Sequence, residues 1–510
     1  MNESTRKKLL TALIALGGVM LLYDLGGRYM WQDESQTPLL ANTVLIYGVP
    51  KATDGLNNFS QMRGAEYGED LIWRWHQWLP FYLLAPFLKI FGASTFTARL
   101  PFALLSLASL YVFYLFARRY FGDRRALFAL FCLALYVPFL LLARQSRYYA
   151  PEMFFCLLGL YSWAMLPVNE KKYGIILFLS MLGVFHSLHL YYFILCAALL
   201  AHALLFRKNK LRTLIIVIAA SAALNLPLFF TIYNIGLESA SPVFLSAPRL
   251  AVALKNYGAY VFIFLMPSLL LLIPLFVASA AVIKKKKIFT DNPLYFEGLA
   301  LAVIFCVSAV MTMVFLAHTP FYRNLAATVP VFALLAGLML CPIARLNPIA
   351  GIAALLLFLN LLPSPLYKFL GELKNGYKGP IRCITEYLNT NAPPGSKVAI
   401  SYGDMPLKFY TNFRIIGGLA EGPVEEAGEA DYIILRKHDI DTRCREIKQY
   451  VFDNLDRDMY EMVDLGCPDE PDENSEAPHN RRFTPDMKED SVKIFIKKTL
   501  PGRQDRSRIF

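Results

Sequence analysis

Short polar loops divide the chain into apolar runs long enough to cross about 30 Å of hydrocarbon, and this feature constrains the fold more than any other. Backbone N–H and C=O groups in hydrocarbon have no water to bond, so each run must satisfy them internally, as a helix. About eleven such runs lie near 9–23, 97–117, 126–143, 150–167, 174–187, 189–206, 212–232, 258–283, 298–317, 324–342 and 348–363. The fifth and sixth are short and read either as two spans or as one bent hairpin. A further apolar run at 79–92 holds Pro80 and Pro86 and ends at Phe91-Gly92; it reads as lying on or dipping into the outer face. With 56% hydrophobic and 18% charged residues among 510, the chain is too apolar for a water-soluble protein of its size.

The net charge of +12 comes from basic clusters between the apolar runs, the pattern of cytoplasmic loops and not of a nucleic-acid-binding face. These are Arg6-Lys7-Lys8, Arg118-Arg119 with Arg124-Arg125, Lys171-Lys172, Arg207-Lys208 with Lys210 and Arg212, Lys284 to Lys287, and Arg345. They fall in every second loop, which the positive-inside rule assigns to the cytoplasm together with the amino terminus. The first run is followed by Asp24-Leu25-Gly26-Gly27-Arg28, a poor cleavage site for a signal peptide, so it reads as a retained anchor. The expected architecture is a polytopic α-helical membrane protein: a membrane domain over 1–365, with an outer loop at 24–96, and a carboxy-terminal extracytoplasmic α/β domain over 366–510.

In the tail, a helical pattern near 380–391 stops at Asn391-Ala392-Pro393-Pro394-Gly395, where prolines and glycine end a helix and begin a turn. Strand-like runs follow at Lys397 to Tyr402, Arg414 to Ile416, Asp431 to Leu435 and Ser491 to Ile496, with a helical stretch near 441–453. Between Cys467 and Asp490 the chain is rich in Pro, Asp, Glu and Asn and reads as a long surface loop. Cys383, Cys444 and Cys467 lie in this outward domain, where an oxidising compartment allows one pair to bridge, with the pairing open. The other five cysteines sit in or beside apolar runs as small hydrophobes, and no Cys or His spacing fits a structural zinc site.

The candidate chemistry clusters on the outer loops. Trp31-Gln32-Asp33-Glu34-Ser35 follows the first span, and carboxylates at a membrane face are functional candidates; the competing reading is that they favour the amino terminus of a helix. Arg144 and Arg147, three apart, would share one face of a helical end and suit a phosphate, with Tyr148 as a further donor; the alternative is arginine snorkelling at headgroup level. His76, His189, Tyr322 and Arg323 fall at the same outer face. Glu66, Glu69 and Asp70 read as a solvated face of the first loop, with Glu34, Glu69 and Asp70 as weak candidates for a divalent cation. Tyr191-Tyr192-Phe193 and Tyr257 to Phe264 read as an interfacial aromatic belt or as a groove for a lipid chain.

Several stretches occur in a telling order: Asp33-Glu34, His76-Gln77-Trp78-Leu79-Pro80 running to Lys89-Ile90-Phe91-Gly92, Ala98-Arg99-Leu100-Pro101, Ala117-Arg118-Arg119-Tyr120-Phe121-Gly122, and Arg144-Gln145-Ser146-Arg147-Tyr148-Tyr149. In this order they resemble the C-type membrane glycosyltransferases, especially bacterial relatives of the protein O-mannosyltransferases and of the aminoarabinose transferase acting on lipid A. The resemblance is clearest over the first half of the membrane domain and extends more loosely to Phe321-Tyr322-Arg323 and the tail. It implies transfer of a sugar from a polyprenyl-phosphate donor, with inversion, to a lipid, glycan or protein acceptor at the outer face of a bacterial inner membrane. It also implies Asp33 as catalytic base, Glu34 as a neighbour holding acceptor or metal, and a donor-phosphate site drawn from Arg144, Arg147, Tyr148, His76, Arg323, Tyr322 and His189. A divalent cation (Mg, Mn, Ca or Zn) stays open as a cofactor. Relatives carry two prolines where Gln77-Trp78 stand here, and an acidic residue soon after the second arginine where this chain has Tyr148-Tyr149. The rival readings are a transporter or flippase of lipid-linked sugars, which predicts internal repeats and broken helices, and a polymerase or ligase of lipid-linked glycans.

Overall fold

The computed structural model describes residues 2–232, 246–262, 294–317, 319–361, 365–418, 424–438, 442–471 and 473–498. Most of the expected run 258–283, the cluster Lys284 to Lys287 and the end of the run 348–363 lie outside these residues. The helices are α1 Glu3–Leu22, α2 Gln32–Tyr47, α3 Leu79–Phe91, α4 Thr95–Phe121, α5 Asp123–Ala134, α6 Val137–Ala143, α7 Tyr149–Met165, α8 Glu170–Ser187 and α9 His189–Phe206. There follow α10 Leu211–Ile232, α11 Ala247–Tyr260, α12 Leu294–Leu316, a 3₁₀ segment Tyr322–Thr328, α13 Val329–Leu346 and α14 Pro348–Asn360.

Among the described residues five helical segments are long and apolar enough to cross a membrane: Thr95–Phe121, His189–Phe206, Lys208–Phe230, Leu294–Leu316 and Tyr322–Leu346. The count is six if α5 and α6, bent by 65°, form one broken span. The bend has a local cause. Tyr136 is extended, and Pro138, in the first turn of α6, has no N–H with which to continue the ladder from α5. The runs 174–187 and 189–206 are two helices, α8 and α9, separated by Leu188. Small residues let the helices approach closely: a Cβ added to Gly337 of α13 would sit 2.5 Å from Ala129 Cα of α5. Tyr191 and Tyr257, candidates for an exposed aromatic belt, are instead buried, and both bond Asn324: the Tyr191 hydroxyl donates to its carbonyl at 2.9 Å, and its amide donates to Tyr257 Oη at 2.8 Å.

The tail begins with α15 Leu366–Asn375 and α16 Pro380–Asn391, then builds a five-stranded sheet in the order β2-β1-β3-β5-β4. Its strands are β1 Lys397–Ile400, β2 Arg414–Gly417, β3 Tyr432–Ile434, β4 Tyr460–Pro468 and β5 Ser491–Lys497, with α17 Asp404–Tyr410 between β1 and β2 and α18 Thr442–Asn454 before β4. β1 pairs parallel with β2 and β3, and β5 pairs antiparallel with β3 and β4. Side chains alternate across a strand: Val398 and Ile400 pack with Ile384 and Leu388 of α16, whereas Ala399 packs with Ile447 and Val451 of α18. The expected strands are present, and β4 is an addition. As an edge strand with exposed Glu461 and Met462, it lacks the apolar alternation by which a strand is read from sequence.

The sheet domain is docked on the membrane domain. Met405 of α17 is buried with Leu39 and Leu40 of α2. Gln32 Nε2 donates to Asp404 Oδ1 at 2.7 Å, while Lys408 Nζ reaches the other oxygen at 2.6 Å. Tyr410 stacks on Tyr29 with centroids 4.2 Å apart, accepts from Met30 N at 3.0 Å and bonds Thr95 Oγ1 at 2.6 Å. From the outer loop, Asn57 donates to the Phe413 carbonyl at 3.1 Å and accepts from Ile415 N at 2.8 Å.

The stretch between Cys467 and Asp490, expected as a surface loop, is a correction. Asp469, Glu470, Glu473, Asn474 and Glu476 are buried. Partners lie within the tail and at the junction with the membrane domain: Arg436 ion-pairs with Asp469, the Glu473 main-chain carbonyl accepts from Arg28, and Arg481 Nε donates to Glu372 at 3.1 Å. Acidic composition here marks a buried polar seam, which sequence cannot tell from a solvated loop because its partners, from Arg436 to Arg323 and Arg28, lie 33 to 445 residues away.

Candidate active site

The candidate site starts at the first turn of α2. Trp31 is extended and Gln32 opens the helix, so Asp33 and Glu34 stand where the helix dipole favours negative charge. Their side chains point different ways. Glu34 is fully buried and accepts from Arg99 Nε at 2.7 Å and Nη2 at 2.8 Å, from Ser146 N at 3.0 Å and from Asn474 Nδ2 at 3.2 Å. With its lone pairs so engaged, Glu34 locks α2 against α4, the turn before α7 and the tail.

Asp33 faces a cavity of about 280 Å³ lined on one side by Trp31, Tyr260, Tyr322 and Arg323, and on the other by residues of the tail. Its Oδ2 lies 2.6 Å from Arg323 Nη1, and Glu476 Oε1 lies 3.4 Å from the same nitrogen. The Arg323 guanidinium sits over Phe321 at 4.3 Å and Trp31 at 5.6 Å, so ring faces limit how far it can swing. Arg147 is buried behind Asp33. Its Nη1 donates to the Asp33 carbonyl at 2.7 Å and to Gln36 Oε1 at 3.2 Å, and its Nε is buried without a hydrogen-bond partner.

His76 continues this row of donors. Its ring lies over Trp73 at 6.2 Å and Tyr148 at 5.9 Å, and its buried Nδ1 has no partner. Burial, and after it the charges of Arg147 and Arg323, hold its imidazole well below its usual range, so it is neutral at pH 7. His189 is the partner of Gln77, with Nδ1 against Nε2. The amide standing where relatives carry a proline is thus used to tie the outer loop to α9. Tyr322 is buried at the cavity wall.

Arg144 is not brought to Asp33. Residues 144–148 form a turn between α6 and α7, so a spacing of three places Arg144 and Arg147 on different sides. Arg144 donates to the carbonyls of Met20 at 2.8 Å, Tyr23 at 2.8 Å and Asp24 at 3.0 Å, satisfying the end of α1 as a basic side chain does at a helix carboxy terminus. Burial, with Arg99 and Arg481 nearby, lowers it to about 10. Glu66, expected as solvated, is buried and accepts from Ser60 Oγ at 2.6 Å and Met62 N at 2.9 Å. Asp70 is tied to Arg74 at 2.7 Å through both oxygens. Among the described residues no three His, Cys, Asp or Glu side chains are placed to hold a metal ion. Asp33 and Glu476 have an arginine between them, so the residues present do not fit a divalent cation.

Comparison with known proteins bears on the fold. The sequence pattern of the dolichyl-phosphate-mannose-protein mannosyltransferase family matches residues 76–233. No curated protein matches the chain in sequence. Among solved structures, ArnT from Cupriavidus metallidurans bound to undecaprenyl phosphate is similar with a TM-score of 0.59 at 14% identity, over 99% of this chain and 100% of that one. The oligosaccharyltransferase of Archaeoglobus fulgidus in complex with Zn and sulfate gives 0.54 at 14% identity, over 84% of this chain and 67% of that one. The archaeal oligosaccharyltransferase AglB of the same organism, with an inhibitory peptide and a dolichol-phosphate, gives 0.52 at 14% identity over 84% and 69%. This chain has the C-type membrane glycosyltransferase fold.

Sequence reasoning missed the tail's share of the site. Glu476, Ser475 and Asn480 line the cavity, and Gln32 and Gln36 hold the helix that carries Asp33. Gln32 and Gln36 flank the carboxylates in sequence and could have been read with them. The tail residues carry no local signal.

Proposed function

We propose that the protein is an inverting glycosyltransferase of the bacterial inner membrane, moving a sugar from a polyprenyl-phosphate donor to an acceptor at the outer face. Its amino terminus is cytoplasmic, about eleven helices span the bilayer, and the tail domain is periplasmic. The observation that carries this reading is the ion pair between Asp33 and Arg323 at the rim of one cavity, 2.6 Å apart, with Arg147 and His76 behind it.

The chemistry follows from what each group can do. The acceptor hydroxyl oxygen attacks the anomeric carbon, the bond from that carbon to the phosphate oxygen breaks, and polyprenyl phosphate leaves with the electron pair. Asp33 takes the hydroxyl proton, as a carboxylate within hydrogen-bond reach does. Arg323 and Arg147 stabilise the departing phosphate through charge-assisted hydrogen bonds, with neutral His76 as a further donor. Before the donor arrives, Arg323 is occupied by Asp33. A phosphate on that guanidinium releases the carboxylate for the acceptor, so donor binding readies the base. Glu34, Arg144 and Arg99 hold the scaffold in this scheme, and no step requires a metal.

The test is reconstitution of the purified protein in vesicles with a polyprenyl-phosphate-linked sugar labelled in the sugar and an extract of lipids, glycans and proteins as acceptor. Label must pass from lipid to acceptor through a new glycosidic bond. Label that crosses the bilayer still attached to its lipid, with no new bond formed, would establish the transporter reading instead.

A further inference from the structure

The cavity before Asp33 has two unlike walls. The membrane-domain wall carries the cation Arg323, with Arg147 and His76 behind it. The opposite wall belongs to the tail segment 473–480 and meets the first at Arg323, where Glu476 Oε1 lies 3.4 Å from Nη1; it presents that carboxylate together with Ser475 and Asn480, while Tyr260 and Tyr402 supply ring faces at the edge. Asn474 is excluded as a ligand contact, because its amide already bonds Tyr29 O at 2.9 Å, Glu34 and Arg481.

A lipid-linked sugar is itself two-sided, an anion joined to a neutral polyol. A buried carboxylate repels the phosphate but accepts two hydrogen bonds from neighbouring hydroxyls. The phosphate therefore belongs at the arginine wall, which turns the ring towards Glu476 and leaves the anomeric carbon at the seam, where Asp33 stands. The volume of about 280 Å³ leaves room for a sugar ring beside the phosphate.

We infer that the tail segment 473–480 is the donor-sugar subsite, with Glu476 accepting hydrogen bonds from the ring hydroxyls, so that the extramembrane domain sets which monosaccharide is transferred. This rests on the proposed glycosyltransferase reading, but it is tested by binding and not by turnover.

The full-length protein in nanodiscs is titrated with bare polyprenyl phosphate and with polyprenyl-phosphate hexose, N-acetylhexosamine and pentose. The parent should bind one of the sugar-bearing lipids at least tenfold more tightly than the bare lipid. Glu476→Gln should reduce that advantage, read as the ratio of the two affinities, to threefold or less; because Glu476 Oε1 lies 3.4 Å from Arg323 Nη1, removing its charge tightens the phosphate of both lipids alike and cancels in the ratio. Glu476→Asp keeps the charge beside Arg323 but withdraws it by one methylene; it should also lose most of the advantage, and it serves if the glutamine variant does not fold. The inference is overturned if no sugar confers an advantage on the parent, if the advantage survives both variants, or if bare and sugar-bearing lipids change in parallel and keep that ratio. A parent that discriminates sugars but forms no glycosidic bond would sink the transferase reading alone, and a transferase whose variants keep the advantage would sink only the subsite.

Discussion

Asp33 and Glu34 are neighbours on α2, so their side chains leave the helix roughly 100° apart, and that rotation separates a cavity-facing carboxylate from a buried structural one. Replacing Glu34 by alanine leaves Arg99 as an uncompensated buried charge, which typically costs about 3–5 kcal/mol. The thermal unfolding midpoint of the detergent-solubilised protein should fall accordingly, whereas Asp33→Asn, at a partly open position, should move it little. Glu473 gives a second residue-scale expectation. Burial raises its carboxyl from 4.5 to about 7, against the opposing pull of Arg436 and Arg28. The folded state therefore keeps a proton that the unfolded chain has lost between pH 4.5 and 7, and stability from this group is full below 4.5 and declines as pH rises through 7. Unfolding midpoints measured from pH 5 to 7.5 should decline in the parent and decline less in Glu473→Gln; equal slopes would remove Glu473 as the cause.

At the scale of elements, α16 and β4 bring Cys383 and Cys467 into one buried cluster with their thiols in hydrogen-bond contact, while Cys444 lies on α18 across the sheet. All eight cysteines are thiols here. If the tail is in an oxidising compartment, peptide mapping of non-reduced protein should find the 383–467 bridge and leave Cys444 free to alkylate; a bridge to Cys444 would contradict this packing. How much was legible follows the same lines. Apolar runs gave most helices because hydrocarbon length sets them, and Val398, Ile415 and Ile433 marked strands by their pattern. The site was legible where its chemistry is local, at Asp33, Arg147, His76 and Arg323. It was illegible where a role depends on partners distant in sequence: Arg144 spends itself on the end of α1, Glu34 on Arg99, and the acidic stretch around Glu476 reads as solvent-facing until its arginines are located. A missing helical turn separated Arg144 from Arg147, and no spacing rule anticipates that.

In the whole molecule the cavity is divided between two domains, and α17 fixes their relation through Gln32 and Asp404. Truncation after residue 375 would leave the membrane domain with Asp33 and Arg323 but without Glu476 and the opposite wall. Such a protein should retain binding of bare polyprenyl phosphate and lose transfer; retained transfer with the parent's choice of acceptor would mean the tail has no part in the site. The central claim concerns Asp33, and the most direct measurement is single-turnover sugar transfer by Asp33→Asn protein saturated with donor. Loss of a positioned general base should slow this step by about 10²–10⁴-fold while donor still binds. An Asp33→Asn protein that transfers sugar at the parental rate would contradict the account.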